Sequence, residues 1–208
     1  MSENFRQGLP QNGFHVGRIE SLTDGIFAIA MTLLVLDLRI SRDPTAGDLA
    51  TQIVRAQPTI YSYVSSFFIA AFFWWSYHRM LQRLSHSDNG LVWWNITFLF
   101  FVTMLPFTTH VSGAFAGDRL AVEIYCGNLV ALSALLLVQW RHMNSHGLVD
   151  SAQRSREGIV AIRFVIVLAC YVAGGIVGWF FPIFYFLPFF AIPFFMVALR
   201  KLTPTSFS

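Results

Sequence analysis

Long apolar runs recur along this 208-residue chain and constrain its fold more than any other feature. A helix that crosses a bilayer needs about 20 consecutive, mostly apolar residues. Six such runs can be drawn, at 18–38, 58–84, 91–112, 120–141, 158–181 and 183–199. Only 12% of the residues are charged, whereas soluble domains carry about a quarter. The sequence therefore predicts an all-α integral membrane protein with six transmembrane helices.

The positions of lysine and arginine predict the orientation of the chain. If the six runs cross a bilayer, ten of the fourteen basic residues fall on one side. Loops rich in Lys and Arg stay in the cytoplasm, so both termini are expected there and the protein is expected in the cell membrane. Because the basic residues form no patch, no nucleic-acid partner is expected. The four basic residues on the other side are Arg39, Arg42, Arg55 and Arg119.

The polar segments indicate one membrane domain with two short tails. Residues 18–201 are predicted to form the six-span domain, with cytoplasmic tails at 1–17 and 202–208. Residues 39–57, which contain Pro44 and Gly47, are predicted to form an outer loop. Residues 144–157 are predicted to form a polar linker on the inner side.

The first run carries an aliphatic stripe on one helical face. At about 100° per residue, Ile29, Leu33 and Leu36 align, with Thr32 on the edge of the stripe. Asp24 lies about 140° round the helix from Ile29, so it points away from that stripe. Such a stripe also occurs on helices that face lipid or pack on neighbours, and threonine often bonds to its own helix carbonyls. A pore-lining face and an ordinary packing face therefore both stay open.

A set of polar residues is predicted to meet at the inner end of the first three runs. Arg18, Thr23 and Asp24 lie at that end of the first run, His78 at the end of the second and Asn95 at the start of the third. A charge inside a membrane needs partners, and Arg18, His78 and Asn95 can all bond Asp24. We expect an interhelical network that sets the rotation of the first helix. Solvated interfacial residues and a pH sensor at His78 are the alternatives.

Two histidines, His142 and His146, have the i, i+4 spacing that can hold a metal ion on one helix face. They fall where the inner linker begins, and the sequence indicates no third ligand. A metal site usually needs at least three protein ligands. We therefore expect solvated histidines and no metal beyond a permeating ion.

The motif Arg18-x-x-x-Leu22-Thr23-Asp24-Gly25 resembles the Arg-x-x-x-Phe-Ser-Asp motif of the endolysosomal potassium channel family, transmembrane protein 175, in its bacterial branch. This sequence has Leu22 and Thr23 where the family has Phe and Ser, and both changes are conservative. The similarity covers the first half of the chain. It continues through the run 28–36, Trp75-x-x-His78, Asn95 and Leu105-Pro106-Phe107-Thr108.

The resemblance implies a homotetramer in a lipid bilayer, with six spans per chain and a central pore lined by four copies of the first helix. It implies that Ile29 forms the hydrophobic constriction, that Thr32 contributes to selectivity, and that Leu33 and Leu36 also line the path. The implied function is a moderately potassium-selective cation channel that needs no cofactor and is not an enzyme. Asp37 is expected at the outer mouth, where a carboxylate attracts cations.

Two other classes of function stay open at this point. One is a membrane haem protein or enzyme that uses His78 with His142. The other is a secondary cation transporter, although the sequence shows neither the internal repeat nor the midplane acid that such proteins commonly have.

Overall fold

The computed structural model describes residues 16–39, 47–149 and 157–192. This part of the chain is helical apart from turns and one isolated β-bridge. We number the α-helices in chain order and leave three short 3₁₀ segments unnumbered. The helices are α1 (Val16–Leu33), α2 (Leu49–Arg55), α3 (Gln57–Leu81), α4 (Asn89–Ala114), α5 (Arg119–Ser145) and α6 (Glu157–Phe180), with 3₁₀ segments at Leu34–Asp37, Pro182–Phe184 and Leu187–Phe190.

Four of the helical segments are long and apolar enough to cross a membrane, counting only the described residues: 16–37, 89–114, 119–145 and 160–180. The second predicted run forms α3, which has 25 residues and spans about 37 Å. It is long enough to cross, but its serines, tyrosines and tryptophans lower its mean hydropathy below that of the four. The all-helical membrane fold is as predicted, whereas the count of six spans is not established.

The sixth predicted run, 183–199, is described only as far as residue 192. Its described part consists of two 3₁₀ segments, Pro182–Phe184 and Leu187–Phe190, followed by a short helical stretch. Proline lacks the N–H that a continuous helix requires, which accounts for this broken start. The rest of the run and the predicted tails, 1–17 and 202–208, lie wholly or mostly outside the described residues.

The loop predicted at 39–57 contains a helix, α2, which the sequence reading missed. Asp48 caps it by accepting a 3.0 Å hydrogen bond from the backbone N–H of Thr51. Hydrogen bonding from the Thr51 side chain and, after it, from the Thr51 N–H also holds the pKa of the Asp48 carboxyl below its ordinary value. Pro58 then lies in the first turn of α3, where its missing N–H costs nothing.

The interior of the fold lies around α5 and the aromatic contacts beside it. In the most apolar 18-residue stretch of α5, 61% is buried by the rest of the chain, against 28% in the corresponding stretch of the segment 16–37. The α1 helix packs on α3 and α4, where Phe98 of α4 contacts both Phe27 of α1 at 6.0 Å and Tyr77 of α3 at 5.2 Å between ring centroids. Thus α1 lies at the edge of the bundle, with one face buried and one face exposed.

Candidate permeation helix and its anchors

The exposed face of α1 is formed by Ile29, Thr32, Leu33 and Leu36, the last of which lies in the 3₁₀ turn that extends the helix. Ile29 is 61% exposed and Leu36 59% exposed in the single chain. Soluble proteins bury most large aliphatic side chains, and a membrane chain can leave them to lipid or to another subunit. The predicted stripe is therefore a continuous face that nothing in the described part of this chain covers.

The opposite face of α1 is buried and carries a different set of residues. These positions repeat at intervals of three or four residues, as expected for one side of a helix. They are Ile19, Thr23, Phe27, Ala30 and Leu34.

The Thr32 hydroxyl donates a 2.8 Å hydrogen bond to the backbone carbonyl of Ile29. This is the local bond that threonine commonly makes in membrane helices. Because the hydroxyl proton is used in this bond, the oxygen of this exposed side chain keeps its lone pairs. Such an oxygen is an acceptor for a cation.

Two carboxylates hold the beginning of α1 against α3. Asp24 accepts a 2.8 Å hydrogen bond from the indole N–H of Trp74, and Glu20 Oε1 lies 3.0 Å from His78 Nδ1. The two acids are four residues apart on α1, and their two partners are four residues apart on α3. Residues at this spacing lie on one face of a helix, so both contacts form along one helix–helix seam. Trp74 and His78 also stack, with ring centroids 5.7 Å apart.

A weaker polar contact joins the same end of α1 to α4. The side-chain amide of Asn95 donates to the hydroxyl of Thr23 at 3.4 Å, and that hydroxyl donates to the Ile19 carbonyl at 2.8 Å. Thr23 and Asn95 are both buried. The polar residue that enters the interior is therefore Thr23, while Asp24 lies at the exposed edge.

The network differs in its partners from the one expected. Among the described residues, Arg18 is exposed and makes no hydrogen bond or ion pair with Asp24, and neither His78 nor Asn95 bonds to it. Glu20 and Trp74 take part instead, and the sequence reading assigned neither of them to the network. Their spacing was the available signal, since Glu20 precedes Asp24 by four residues and Trp74 precedes His78 by four.

The other end of α1 is held by a second acid–histidine contact. Asp37 Oδ1 lies 2.9 Å from Nδ1 of His110, near the end of α4. Asp37 was expected at an outer mouth, and the structure pairs its carboxylate with His110. The exposed face of α1 thus lies between polar contacts at both ends.

The two histidines of the haem alternative have separate partners. His78 contacts Glu20, and its Nε2 accepts a 2.8 Å hydrogen bond from the side-chain amide of Gln82. His142 lies on α5 and contacts Asp88. Nothing in the described part of the chain joins these two rings at one site.

Comparison with known proteins points to one family. Residues 18–106 match the family described as "Endosomal/lysosomal potassium channel TMEM175". A potassium channel of Chamaesiphon minutus is 28% identical over 152 residues, which are 70% of this chain and 74% of that protein. The human endosomal/lysosomal proton channel TMEM175 is 27% identical over 135 residues, 59% of this chain but 27% of that longer protein.

The fold agrees with the sequence match. The crystal structure of a lysosomal potassium-selective channel TMEM175 homolog from Chamaesiphon minutus superimposes with a TM-score of 0.75 at 21% identity, covering 91% of this chain and 98% of that one. The matched segment 18–106 begins at Arg18 and contains the exposed face of α1 together with the polar contacts that the beginning of α1 makes with α3 and α4. The resemblance that the sequence motifs indicate, to the bacterial branch of the TMEM175 family, is therefore confirmed.

Proposed function

We propose that this chain is a potassium-selective cation channel, a homotetramer whose central pore is lined by the exposed face of four α1 helices. One observation carries the proposal: that face is aliphatic, uncovered and held at both ends by polar contacts. The relatives supply the function, because the bacterial proteins that this chain resembles are named potassium channels.

The constriction in this proposal is a ring of four Ile29 side chains. A narrow ring of aliphatic groups excludes hydrated ions and holds little water, so it gates by size and dewetting. Leu33 and Leu36, further along the same face, extend the apolar path. The two ends of α1 are fixed to α3 and α4 by the Asp24–Trp74 and Asp37–His110 contacts. These contacts keep the ring in register.

Selectivity is proposed to arise at Thr32. Its hydroxyl proton is engaged by the Ile29 carbonyl at 2.8 Å, so its oxygen is available to replace part of the hydration shell of a potassium ion. Four such oxygens are few compared with the stacked carbonyl rings of a Thr-Val-Gly-Tyr-Gly filter. We therefore expect moderate selectivity over sodium.

The neighbouring subunit is proposed to cover the side of α1 next to this face. A shallow apolar groove runs between α1 and α4 there, and a helix of a second copy would fill it. Packing in a membrane depends on such close apolar contacts. The groove is lined by Leu22, Ile26, Ile96, Leu99, Phe100 and Thr103.

The proposed orientation places both termini in the cytoplasm of the cell and the beginning of α1 at the inner side of the plasma membrane. Six spans per chain, with α3 as the second and part of 183–199 as the sixth, complete the proposed topology. Asp37 then lies at the outer mouth, where it attracts cations, with His110 as its neighbour at 2.9 Å.

The test is potassium flux into liposomes that contain the purified protein, under opposed potassium and sodium gradients. We expect potassium flux to exceed sodium flux, and Ile29→Asn to raise potassium flux or relax the selectivity because it wets the constriction. Ile176→Asn is the matched control, since Ile176 on α6 is 59% exposed against 61% for Ile29. It should leave both quantities unchanged.

Three results would reject the proposal. If Ile29→Asn behaves like Ile176→Asn in a folded tetramer, the pore lies elsewhere. If the purified protein shows a Soret band, the haem alternative at His78 and His142 replaces the channel. If flux saturates with potassium and requires a coupled second ion, the chain is a secondary transporter.

A further inference from the structure

Three side chains of the kinds that bind metals converge at the end of the bundle where α1 begins. Asp88 directly precedes α4, His142 lies in the last turn of α5, and His146 follows that helix. His142 Nε2 lies 2.8 Å from Oδ2 and 3.0 Å from Oδ1 of Asp88. One potential ligand atom from each of the three residues lies within 4.8 Å of the others.

The backbone holds the two segments that carry these residues together. Gly147 adopts a φ of +68° and ends α5, a conformation that favours glycine. The chain then returns along the loop before α4, where the N–H of Ser85 donates to the carbonyl of Leu148 at 2.9 Å. Leu84 and Val149 form an antiparallel bridge beside it. The cluster therefore does not depend on side-chain contacts for its assembly.

Gly90 makes room for the approach of His142 to Asp88. A Cβ atom at Gly90 would lie 2.7 Å from Cε1 and 2.9 Å from Nε2 of His142. A side chain at this position would displace the imidazole from the carboxylate. The site is thus formed by a glycine on α4 as well as by its three polar residues.

The chemistry of the three groups suits a metal ion. Burial raises the pKa of Asp88, but the Leu91 N–H at 2.7 Å and His142 outweigh it, and the net pKa is lower than usual. Nδ1 of His146 lies 3.0 Å from both the His142 carbonyl and the Ser145 hydroxyl, so these contacts orient the imidazole and leave its Nε2 to bind an ion.

Access to the cluster is partly open. The side chain of His142 is 15% exposed and that of Asp88 is 33% exposed, while His146 is exposed. An ion can thus enter from solvent and keep a water ligand.

We propose that Asp88, His142 and His146 bind a divalent transition-metal ion, with Zn²⁺ as the representative ion. Two imidazole nitrogens and one carboxylate oxygen, with water in the fourth position, match the ligand types and number of tetrahedral zinc sites. The ion takes the place of the hydrogen bond between His142 and Asp88. It joins the start of α4 to the end of α5, on the same helix α4 that holds α1 through Asn95. The bound ion stabilises this end of the bundle.

The test is calorimetric titration of the chelator-treated, full-length protein with ZnCl₂ in detergent, together with its thermal unfolding. We expect saturable binding of one ion per chain and a higher unfolding temperature with Zn²⁺, because a ligand that binds only the folded state stabilises it. His146→Ala should weaken binding at least about 10- to 100-fold, the range known for loss of even outer-shell partners. Because His146 is exposed, this variant is expected to fold.

His86→Ala is the matched control. His86 lies in the same loop as Asp88, but its Nδ1 is engaged with the hydroxyl of Ser85 at 3.0 Å, and it is not one of the three converging residues. It should retain wild-type affinity. Asp88→Asn provides a second variant that removes the anionic ligand and should also weaken binding.

The inference is overturned if ZnCl₂ produces no saturable heat, or if His146→Ala binds Zn²⁺ as tightly as His86→Ala. In that case Asp88 and His142 form only an ion pair beside a helix cap. Co²⁺ gives an independent readout, since a tetrahedral site with nitrogen and oxygen ligands gives visible absorption bands that His146→Ala should abolish. None of these measurements requires ion flux, so their outcome and that of the channel assay are independent.

Discussion

The two faces of α1 differ in what explains their residues. On the buried face, each side chain has a partner within the chain, as Phe27 has in Phe98 and Thr23 in Asn95. On the exposed face, Ile29 and Leu36 stay mostly uncovered by the described residues, with 61% and 59% of their surface exposed. The first face is explained by the fold of one chain, and the second requires lipid or further copies of the chain.

This difference separates stability from permeation on a single helix. Substitutions on the buried face should act on folding, because they remove contacts within the chain. Substitutions on the exposed face should act on conduction, because they change the surface that we propose faces an ion path. The following variants test that division, from the largest expected effect on stability to the smallest.

Phe27→Ala should have the largest effect on stability. Phe27 is only 2% exposed, and we expect its truncation to lower the free energy of unfolding by about 3 kcal/mol, the lower limit for a buried phenylalanine. Thermal unfolding in detergent measures this loss. Leu36→Ala, on the exposed face, is the comparison and should change the unfolding temperature little. Equal losses of stability for Phe27→Ala and Leu36→Ala would mean that the buried and exposed faces of α1 contribute equally to folding.

The Asp24–Trp74 hydrogen bond should contribute less to stability than the burial of Phe27 does. Removing it by Asp24→Asn or Trp74→Phe should cost about 1 kcal/mol, within the range measured for interhelical hydrogen bonds in membranes. A double-mutant cycle on thermal unfolding gives the coupling directly. Trp75→Phe is the control, because its indole contacts the Arg79 guanidinium at 5.2 Å and not Asp24.

The same variants distinguish an anchoring acid from a pore acid. In single-channel recordings, Asp24→Asn should reduce folding yield or open probability more than unitary conductance, because Asp24 contacts α3 and lies away from Ile29. A selective loss of conductance would place Asp24 in the ion path and would remove the distinction between the two faces of α1.

The Asp37–His110 contact should have the smallest effect on stability. His110 is 55% exposed in this pair, and exposed ion pairs contribute about 0.2–1 kcal/mol. When the imidazole is protonated, His110→Ala should therefore lower the unfolding temperature slightly at low salt, and the difference should shrink at high salt because ions screen exposed charges. A large, salt-independent loss would show that His110 acts through packing. His86→Ala serves as an exposed-histidine control at the other end of the bundle.

Much of the fold follows from local sequence patterns. The long apolar runs predicted α1 and α3–α6, since a helix is the way for a single segment to satisfy its backbone in lipid. The stripe of Ile29, Leu33 and Leu36 followed from the helical period alone. The helix α2 was missed, because its signal is a single cap at Asp48 within a stretch that also contains Pro44 and Gly47.

The contacts between helices could not be derived in the same way. The sequence indicated that polar residues meet at the beginning of α1, but the partners depend on how α1 and α3 are rotated and offset. That geometry brings Glu20 to His78 and Trp74 to Asp24. Arg18, which the motif placed with Asp24, instead faces outward.

The sequence by itself determined the all-helical membrane class, the resemblance to the TMEM175 family and the composition of the exposed face, because each depends on local period, hydropathy or motif. Only the tertiary structure decided which residues are partners. It joined Asp88 to His142 and His146 across 54 and more residues, where the sequence showed two histidines without a third ligand. The physical reason is that hydropathy and helical period are properties of neighbouring residues along the chain. Ligand geometry depends instead on distances between segments that packing alone brings together.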